Sequence, residues 1–325
     1  MQVVESIFGV DVAKHEVVVA HHGAAKGSTQ TFKNNVNSLT KWLALLPAGS
    51  TVAMEATGGY ERLLADLAYA RGLRVYVLNP RPLHHYAKAQ DQRGKTDPLD
   101  AAMIARYVAL EQDRLHRYKP TPEHIELVRQ LQKMRGNAVT ARTSMRLASG
   151  RHHLVQSLPK VQETLDKLKD LAESLEQLIV EQIEAQPELA EDFHLVTSIT
   201  GIGNLTGAAL ATTFARIPFR SSDALVAYAG LDPRPRESGT FRGKRKLSKQ
   251  GDAALRSLAY NAASSASRNA AFKPLYQSLL AKGLATTAAL NIIARKLLRI
   301  AFGIWKSRKT FDLEFFIANQ AIRKP

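Results

Sequence analysis

Cysteine is absent from this sequence of 325 residues. Its absence excludes disulfide bonds, thiolate nucleophiles and zinc sites with cysteine ligands. Long apolar runs are also missing: the stretch at 283–294 ends at Arg295, short of the roughly 20 residues that a membrane span needs. Near the amino terminus, Glu5 and Asp11 interrupt the segment in which a signal peptide has its apolar region. We therefore expect a soluble, cytoplasmic protein with no membrane partner.

Acidic residues are scarce in the last third of the chain. Residues 230–325 hold 19 of the 45 Lys and Arg residues but only five of the 29 Asp and Glu residues. The whole chain has a formal net charge of +16, which favours a polyanionic partner, nucleic acid first. By contrast, residues 160–192 carry ten carboxylates against three lysines, which is typical of a solvated helix face.

The amino-terminal part has the pattern of an α/β domain. Short apolar runs with β-branched residues predict three strands in a meander, after which helical spacing alternates with further strands. The strands are predicted near 5–11, 16–20, 29–32, 51–55 and 74–78, and helices over 35–46, over 60–70 and from 97 past 106. This order predicts a mixed sheet with helices on its faces.

Residues 121–186 have the pattern of two long helices. Thr121-Pro122-Glu123 is a typical helix start, with a capping residue followed by proline. After Pro159, apolar residues recur at alternating spacings of four and three, as in the seam of a coiled coil. The seam residues are Val161, Leu165, Leu168, Ala172, Leu175 and Ile179. We predict an antiparallel hairpin, and a dimerisation helix is the alternative.

The rest of the chain is predicted to be mostly helical, with an arginine-rich loop over 230–251 and an amphipathic helix over 285–308. We therefore divide the chain into three parts: 1–112, 113–190 and 191–325.

Four carboxylates stand at positions that suit catalysis. Asp11 and Glu55 each end a predicted strand, and Asp97 and Asp100 begin a predicted helix on one face. Strand ends at one edge of a sheet converge, so the four could form an oxygen-rich cage for two divalent ions, a ligand set that suits Mg²⁺. The alternative is structural: Asp97 as the N-cap, Pro98 as the first helical residue and Asp100 as the partner in a capping box.

The segment ITGIGNLTG at 199–207 contains three glycines, and its pattern predicts a helix, a glycine turn and a second helix. In a helix-hairpin-helix, glycines such as Gly201 and Gly203 let backbone N–H groups and a helix N-terminus approach a phosphate. The alternative is an ordinary tight turn between helices.

Basic residues crowd the segment that follows, and one serine lies among them. A hydroxyl such as that of Ser238, next to a glycine and between arginines, could be presented to a phosphodiester, with guanidinium groups stabilising the developing charge. The alternative is a flexible basic loop that grips the nucleic-acid backbone. The basic residues assigned to nucleic-acid binding are Arg234, Arg236, Arg242, Lys244, Arg245, Lys246 and Lys249.

Three ordered blocks carry a resemblance to a known family. FGVDVAK at 8–14, MEATGGY at 54–60 and KTDPLDA at 95–101 resemble the signature blocks of the DEDD transposases of the IS110 family, which are related to Piv-like DNA invertases. The proline-arginine block, the Ser-Gly pair and the stretch SKQGDAALR at 248–256 resemble that family's second signature region. The resemblance covers roughly residues 7–107 and 195–305.

The resemblance implies a fold and a mechanism. It implies an α/β RuvC-like (RNase H-type) domain, a helical-hairpin or coiled-coil insert, and a mainly α-helical carboxy-terminal transposase domain with a helix-hairpin-helix. It places the metal ligands at Asp11, Glu55, Asp97 and Asp100 for Mg²⁺, with Mn²⁺ as a second option, and the nucleophile at Ser238. It further implies donor and target double-stranded DNA as substrates, a structured non-coding bridge RNA as guide, a homodimer or homotetramer, and a nucleoid-associated prokaryotic protein.

Two other functions stay open. A RuvC-like junction-resolving nuclease would use the four carboxylates and a water molecule but not Ser238. A non-catalytic nucleic-acid-binding protein would use only the basic segments. A tyrosine recombinase fits poorly, since no His-x-x-Arg occurs in the sequence to accompany a tyrosine nucleophile.

Overall fold

A computed structural model describes residues 6–25, 28–90, 96–153, 157–238 and 241–322. The chain divides into two compact units, Met1–Pro120 and Thr121–Pro325. The three-part division made from the sequence stays a prediction. No helix within the described ranges is long and apolar enough to cross a membrane.

Unit 1 is built on a five-stranded mixed sheet with the strand order β3-β2-β1-β4-β5. The first three strands are antiparallel, whereas β1 pairs with β4, and β4 with β5, in parallel. The predicted meander followed by alternating helices and strands is therefore confirmed. The elements are β1 (Ile7–Val12), β2 (Glu16–His21), β3 (Thr29–Lys33), α1 (Val36–Ala44), β4 (Thr51–Glu55), α2 (Arg62–Ala70), β5 (Arg74–Leu78), α3 (Pro80–Ala89) and α4 (Asp97–Glu111).

The two faces of the sheet bury different residues, because side chains alternate along each strand. On one face, Val10 and Met54 belong to a core cluster that includes residues of α1 and α2. On the other face, Ile7 and Ala53 pack with Ile104 and other residues of α4. We name this second side the α4 face.

Helix α3 was not predicted, because Asn79-Pro80 was interpreted only as the end of β5. In the structure, the Asn79 side chain accepts a hydrogen bond from the Arg81 amide at 2.9 Å, and Pro80 is the first helical residue. Asparagine followed by proline both ends a strand and starts a helix, since proline has no N–H to lose in a first turn.

Gly9 allows α4 to lie directly on β1. A Cβ atom at this position would lie 2.1 Å from the Ala101 carbonyl oxygen and 2.3 Å from the Ala105 amide nitrogen. Both atoms belong to a helix backbone, so neither can move without moving α4. The glycine thus sets the distance between the sheet and the helix that carries Asp97 and Asp100.

We expect Gly9→Ala to lower the free energy of unfolding of unit 1 by about 3 kcal/mol, because the added methyl overlaps backbone atoms. Gly136→Ala is the matched control: it lies within a helix with no atom near the added methyl, and should raise stability by about 0.5–1 kcal/mol. Urea unfolding of both variants measures the difference. Equal stability of Gly9→Ala and the wild type would contradict the close packing of α4.

Unit 2 is mostly helical, as predicted. Its elements are α5 (Glu123–Ser149), α6 (Pro159–Glu184), α7 (Pro187–Thr197), α8 (Asn204–Arg216), α9 (Ser222–Tyr228), β6 (Pro233–Ser238), β7 (Phe241–Leu247), α10 (Ala253–Ala266), α11 (Lys273–Ala281), α12 (Thr286–Ser307) and α13 (Leu313–Ile322). The helix predicted over 285–308 corresponds to α12.

Helices α5 and α6 form an antiparallel hairpin. Arg135 pairs with Glu176 at 3.3 Å, and Arg142 donates to the Leu165 carbonyl at 3.1 Å, so positions later in α5 meet positions earlier in α6. Buried seam residues include Leu165, Leu175 and Ile179, as the alternating spacing predicts. Helix α5 begins one residue later than predicted, with Pro122 in the N-cap position.

The arginine-rich segment predicted as a loop is instead a β-hairpin, and that prediction was wrong. Strands β6 and β7 pair antiparallel, with Pro233 opposite Leu247 and Ser238 opposite Phe241. The strand pattern is hidden because the two strands hold six basic residues and two prolines, which are typical of a solvated loop rather than of a strand.

Candidate functional site

Asp11 and Glu55 lie on neighbouring strands at the carboxyl edge of the unit 1 sheet. The parallel register pairs Gly9 with Ala53 and Val10 with Met54, and one further rung brings Asp11 opposite Glu55. Because side chains alternate, both carboxylates follow Gly9 and Ala53 onto the α4 face. Both residues are half-buried. Thus the strand ends converge in the way that the sequence analysis expected.

The first turn of α4 reaches the same edge and the same face. Ala101 is fully buried and packs with Val18 and Ala20, and Val18 is the β2 partner of Asp11. Asp97 and Asp100 precede Ala101 within one helical turn, so the helix brings both toward the end of β1. Asp97 is exposed and Asp100 half-buried. All four predicted carboxylates therefore belong to one edge and one face.

The capping interpretation of Asp97 is wrong. Helix α4 begins at Asp97 itself, and its N-cap is Thr96, which makes no side-chain capping bond. The reason is the backbone: Thr96 has the extended conformation of an N-cap, which leaves Asp97 in the first helical position. Lys95, part of the third signature block, lies outside the described residues.

Four carboxylates are a donor set that fits a hard divalent cation, because such ions prefer oxygen ligands. Among the residues that the structure describes, however, no group of three or more His, Asp or Glu side chains is arranged to hold a metal ion. The topology thus collects the ligands at one edge, and their assignment as metal ligands stays a prediction.

Glu61 shapes the loop that follows Glu55, and the sequence analysis missed it. Its carboxylate accepts hydrogen bonds from the amides of Thr57 at 3.0 Å and Gly59 at 2.9 Å. It is only 8% exposed, and its partners flank Gly58, which has a φ of 70°. The available signal was the position of Glu61 directly after the block MEATGGY, where the backbone amides of a glycine-containing turn need an acceptor.

Asn34 joins the loops that follow the two strand-end carboxylates. Its side-chain amide donates to the carbonyl of Ala13 at 2.9 Å and to that of Tyr60 at 3.2 Å. Ala13 follows Asp11 by two residues, and Tyr60 ends the block that contains Glu55. Nothing in the sequence signals this role, because the three residues are far apart along the chain.

We expect Asn34→Asp to lower the free energy of unfolding of unit 1 by about 1–3 kcal/mol, because a carboxylate oxygen would replace the donor that faces two carbonyl oxygens. Asn37→Asp is the matched control, since it makes the same chemical change at an exposed position in the first turn of α1. There a negative charge should be neutral or slightly stabilising. Urea unfolding gives both values, and equal effects would refute the bridging role of Asn34.

The glycine segment of unit 2 is a tight turn between α7 and α8. Gly201 has a φ of 96°, and a Cβ atom there would lie 2.6 Å from the Ala266 Cβ, so this glycine packs against α10. Gly203 is the exposed N-cap of α8 and has open space around it. The predicted order of helix, glycine turn and helix is confirmed, and the helix-hairpin-helix function, with phosphate contact by Gly201 and Gly203, stays a prediction.

Carboxylates lie close to this turn. A cavity of about 600 Å³ is lined by Asn204, the first residue of α8, and by Glu173, Glu176 and Glu181 of α6. Negative side chains near a helix N-terminus compete with an anionic ligand for the same positive end of the dipole. The three glutamates therefore make phosphate binding at the N-terminus of α8 less favourable.

The basic hairpin carries Ser238 at the end of β6. Gly239 and Thr240 lie outside the described residues, as do the side chains of Arg236, Ser238, Arg242 and Lys244. Of the remaining predicted contacts, Arg234 binds the Asp232 carboxylate at 3.1 Å, and Arg245, Lys246 and Lys249 are exposed. The exposed side chains are accessible to a nucleic-acid backbone.

The base of the hairpin is firmly tied to unit 2. The Ser248 hydroxyl donates to the Asp232 carboxylate, and the Lys249 amide donates to the Gly230 carbonyl at 3.0 Å. A Cβ atom at Gly251 would lie 2.2 Å from the Tyr228 carbonyl oxygen. The motif SKQG at 248–251 therefore holds the residues before β6 and after β7 together.

Tyr228 lies beneath this base. Burial, and next the nearby Asp252 carboxylate, raise the pKa of its hydroxyl, so the tyrosine stays neutral. Its carbonyl accepts the Asp252 amide at 2.7 Å. These contacts give Tyr228 a structural role.

Comparisons with known proteins agree with one another. An IS110 DEDD profile described as "Transposase" matches residues 8–149, and a profile described as "Transposase IS116/IS110/IS902 family" matches residues 193–277. The chain is 29% identical over 323 residues to the pilin gene-inverting protein of Moraxella bovis, covering 95% of this chain and 98% of that protein. It is 25% identical over 316 residues to the transposase for insertion sequence element IS1111A of Coxiella burnetii, covering 88% and 84%.

Among the solved structures that match is T. thermophilus RuvC in complex with a Holliday junction substrate, with 12% identity and a TM-score of 0.28, covering 35% of this chain and 99% of that chain.

Proposed function

The chain belongs to the IS110 family of transposases, and we propose that it recombines DNA through a phosphoserine intermediate formed at Ser238, with divalent metal ions held by carboxylates of unit 1. As a member of this family it is an enzyme of transposition or site-specific recombination, and it acts on DNA. Membership of a DEDD family also indicates dependence on a divalent metal. The identity of the ion as Mg²⁺ and the role of Ser238 are parts of the proposal.

The observation that supports the proposal is the packing of β1, β4 and α4 in unit 1. Asp11 and Glu55 each follow the Val10–Met54 pair of the parallel register, and Gly9 seats the helix that bears Asp97 and Asp100 against β1. The strand order β3-β2-β1-β4-β5, with a meander followed by two parallel strands, supports a RuvC-like, RNase H-type interpretation of unit 1.

In the proposed reaction, the Ser238 oxygen attacks a scissile phosphorus. A serine–phosphate bond forms, the bond from phosphorus to the 3′ oxygen breaks, and the serine proton ends on the released 3′ hydroxyl. Attack of another strand's 3′ hydroxyl on the phosphoserine reverses these changes and joins new partners. Arg245 and Lys246, exposed on β7, would hold the strand by its phosphates.

Asp11, Glu55, Asp97 and Asp100 would hold the ions. Bound divalent cations supply charge neutralisation for the attacking and leaving oxygens in phosphodiester chemistry.

We propose a structured bridge RNA as guide and a dimer or tetramer as the active assembly. The excess of basic residues in 230–325 supports contact with a second polyanion besides DNA. Purifying the protein from its cells and sequencing the bound RNA tests the guide. Enrichment of one non-coding RNA whose loops match the flanking DNA is expected, and random cellular RNA would refute the guide.

The experiment that tests the proposed function combines the purified protein with that RNA, donor and target plasmids, and Mg²⁺. Joined products and a protein covalently bound to DNA are expected with Mg²⁺ and not with EDTA. Strand cleavage without any covalent adduct would favour the junction-resolving nuclease instead.

A further inference from the structure

A basic pocket lies at the same sheet edge as the carboxylates, and no residue of it was assigned a function by the sequence analysis. It has a volume of about 590 Å³ and lies between the turn after β1 and the junction of β3 with α1. The lining residues that matter here are Lys14, His15, Glu16, Lys33, Asn34 and Asn35. We propose that this pocket, the Lys14–Lys33 pocket, binds the phosphodiester backbone of a nucleic-acid strand that runs to the carboxylate site.

Charge is the first argument for an anionic ligand. Within the described part of the chain, neither Lys14 nor Lys33 forms an ion pair, although both line the pocket. Glu16 is the one carboxylate of the lining and stands opposite Lys33 in the β2–β3 register, without an ion pair to either lysine. Two unpaired ammonium groups that face one cavity attract a phosphate more than they stabilise the fold.

The N-terminus of α1 adds to this positive potential. Asn35 is the N-cap, and its side chain accepts the Ser38 amide at 2.9 Å. The first turn of α1 holds no acidic residue, so no side chain compensates the partial positive charge of the helix end. The helix N-terminus and the two lysines therefore all contribute positive potential to the pocket.

The pocket lies close to the strand-end carboxylates, which links it to the proposed reaction. Lys14 follows Asp11 by three residues, so their Cα atoms are at most about 10 Å apart. Asn34 lines the pocket and donates to the carbonyls of Ala13 and Tyr60, in the loops that follow both strand-end carboxylates. A strand held in the pocket would thus pass the carboxylates within a few nucleotides, an inference that rests on the proposed function.

Lysine footprinting on the full-length protein tests the pocket directly. The protein is acetylated with and without mixed-sequence oligonucleotides, in EDTA so that no cleavage occurs, and each lysine is quantified by mass spectrometry. We expect protection of Lys14 and Lys33 and unchanged acetylation of Lys41, which is exposed at the far end of α1. Equal acetylation of Lys14 and Lys33 with and without nucleic acid would overturn the proposal.

A charge-matched pair of variants gives the second readout. The double variant Lys14→Ala, Lys33→Ala should reduce the slope of log K against log salt by about 1.4, as expected for the loss of two single-strand phosphate contacts. The control Lys41→Ala, Lys119→Ala removes the same charge at exposed positions outside the pocket. Equal slopes for the two double variants would refute the pocket.

Separate titrations with single-stranded DNA, duplex DNA and RNA distinguish the source of the phosphate, since only the strand that occupies the pocket loses affinity in the variant. The outcome is also independent of the catalytic proposal. Loss of binding by the variant, in a protein that forms no covalent adduct, would retain the pocket and reject the mechanism. If the protein forms the covalent adduct and the variant binds nucleic acid as tightly as the wild type, the mechanism is retained and the pocket is rejected.

Discussion

Replacing Asp11 with asparagine should reduce metal-dependent strand cleavage by about 10²–10³-fold, the size of effect seen when one group that stabilises transition-state charge is removed. Asparagine keeps the shape of the side chain and removes its charge. The substitution should therefore weaken the binding of the metal ions and leave the packing of the sheet unchanged. The position is decisive because Asp11 stands one rung beyond the Val10–Met54 pair, beside Glu55 and on the α4 face.

The matched control for this prediction is Asp113→Asn, at an exposed position in the short 3₁₀ helix after α4. It makes the same chemical change and should leave cleavage unchanged. Cleavage rates are measured across a Mg²⁺ titration, and urea unfolding confirms that both variants fold. Full cleavage by folded Asp11→Asn in Mg²⁺ would contradict the carboxylate site.

Replacing Ser238 with alanine should abolish the covalent protein–DNA adduct and reduce recombination by about 10⁶-fold, since removal of a nucleophile leaves only binding and charge stabilisation. Ser238 ends β6 of a hairpin whose base is clamped by Ser248, so the substitution removes one hydroxyl and leaves the clamp. Adducts are detected as protein that migrates with labelled DNA after denaturation.

Ser278→Ala serves as the control, since this serine is exposed on α11. The Ser238→Ala variant also separates the competing functions. Retained cleavage with no adduct in either protein would favour attack by water, as in a junction-resolving nuclease. If neither protein cleaves DNA in Mg²⁺ or Mn²⁺, the chain is a nucleic-acid-binding protein only.

Most elements of unit 1 could be predicted because their signals are local. Strand β4 was predicted at its observed bounds, and the meander and the alternation of helices and strands were recovered from periodicity. Helix α3 was missed because Asn79-Pro80 satisfies both a strand end and a helix start, and local sequence does not choose between them. The basic hairpin was missed because basic residues and prolines dominate its strands and hide the strand pattern.

Some features of the candidate site could likewise be predicted from the sequence, and others could not. The convergence of Asp11 and Glu55 was foreseeable, because parallel strands bring their carboxyl ends to one edge. The role of Asn34 was not foreseeable, because it bridges Ala13 and Tyr60, which are distant along the chain and have no period or spacing to detect. Glu61 was missed although it lies within four residues of the Thr57 and Gly59 amides that it binds.

The amino-acid sequence by itself determined the family, the charge asymmetry and the identity of the chemical groups, because motif order, composition and periodicity are properties of the chain. Only the tertiary structure decided that Gly9 seats α4 on β1, that the arginine-rich segment is a clamped hairpin, and that Lys14 and Lys33 face one pocket. Those features depend on distances between atoms of different elements, which packing sets and sequence spacing does not encode.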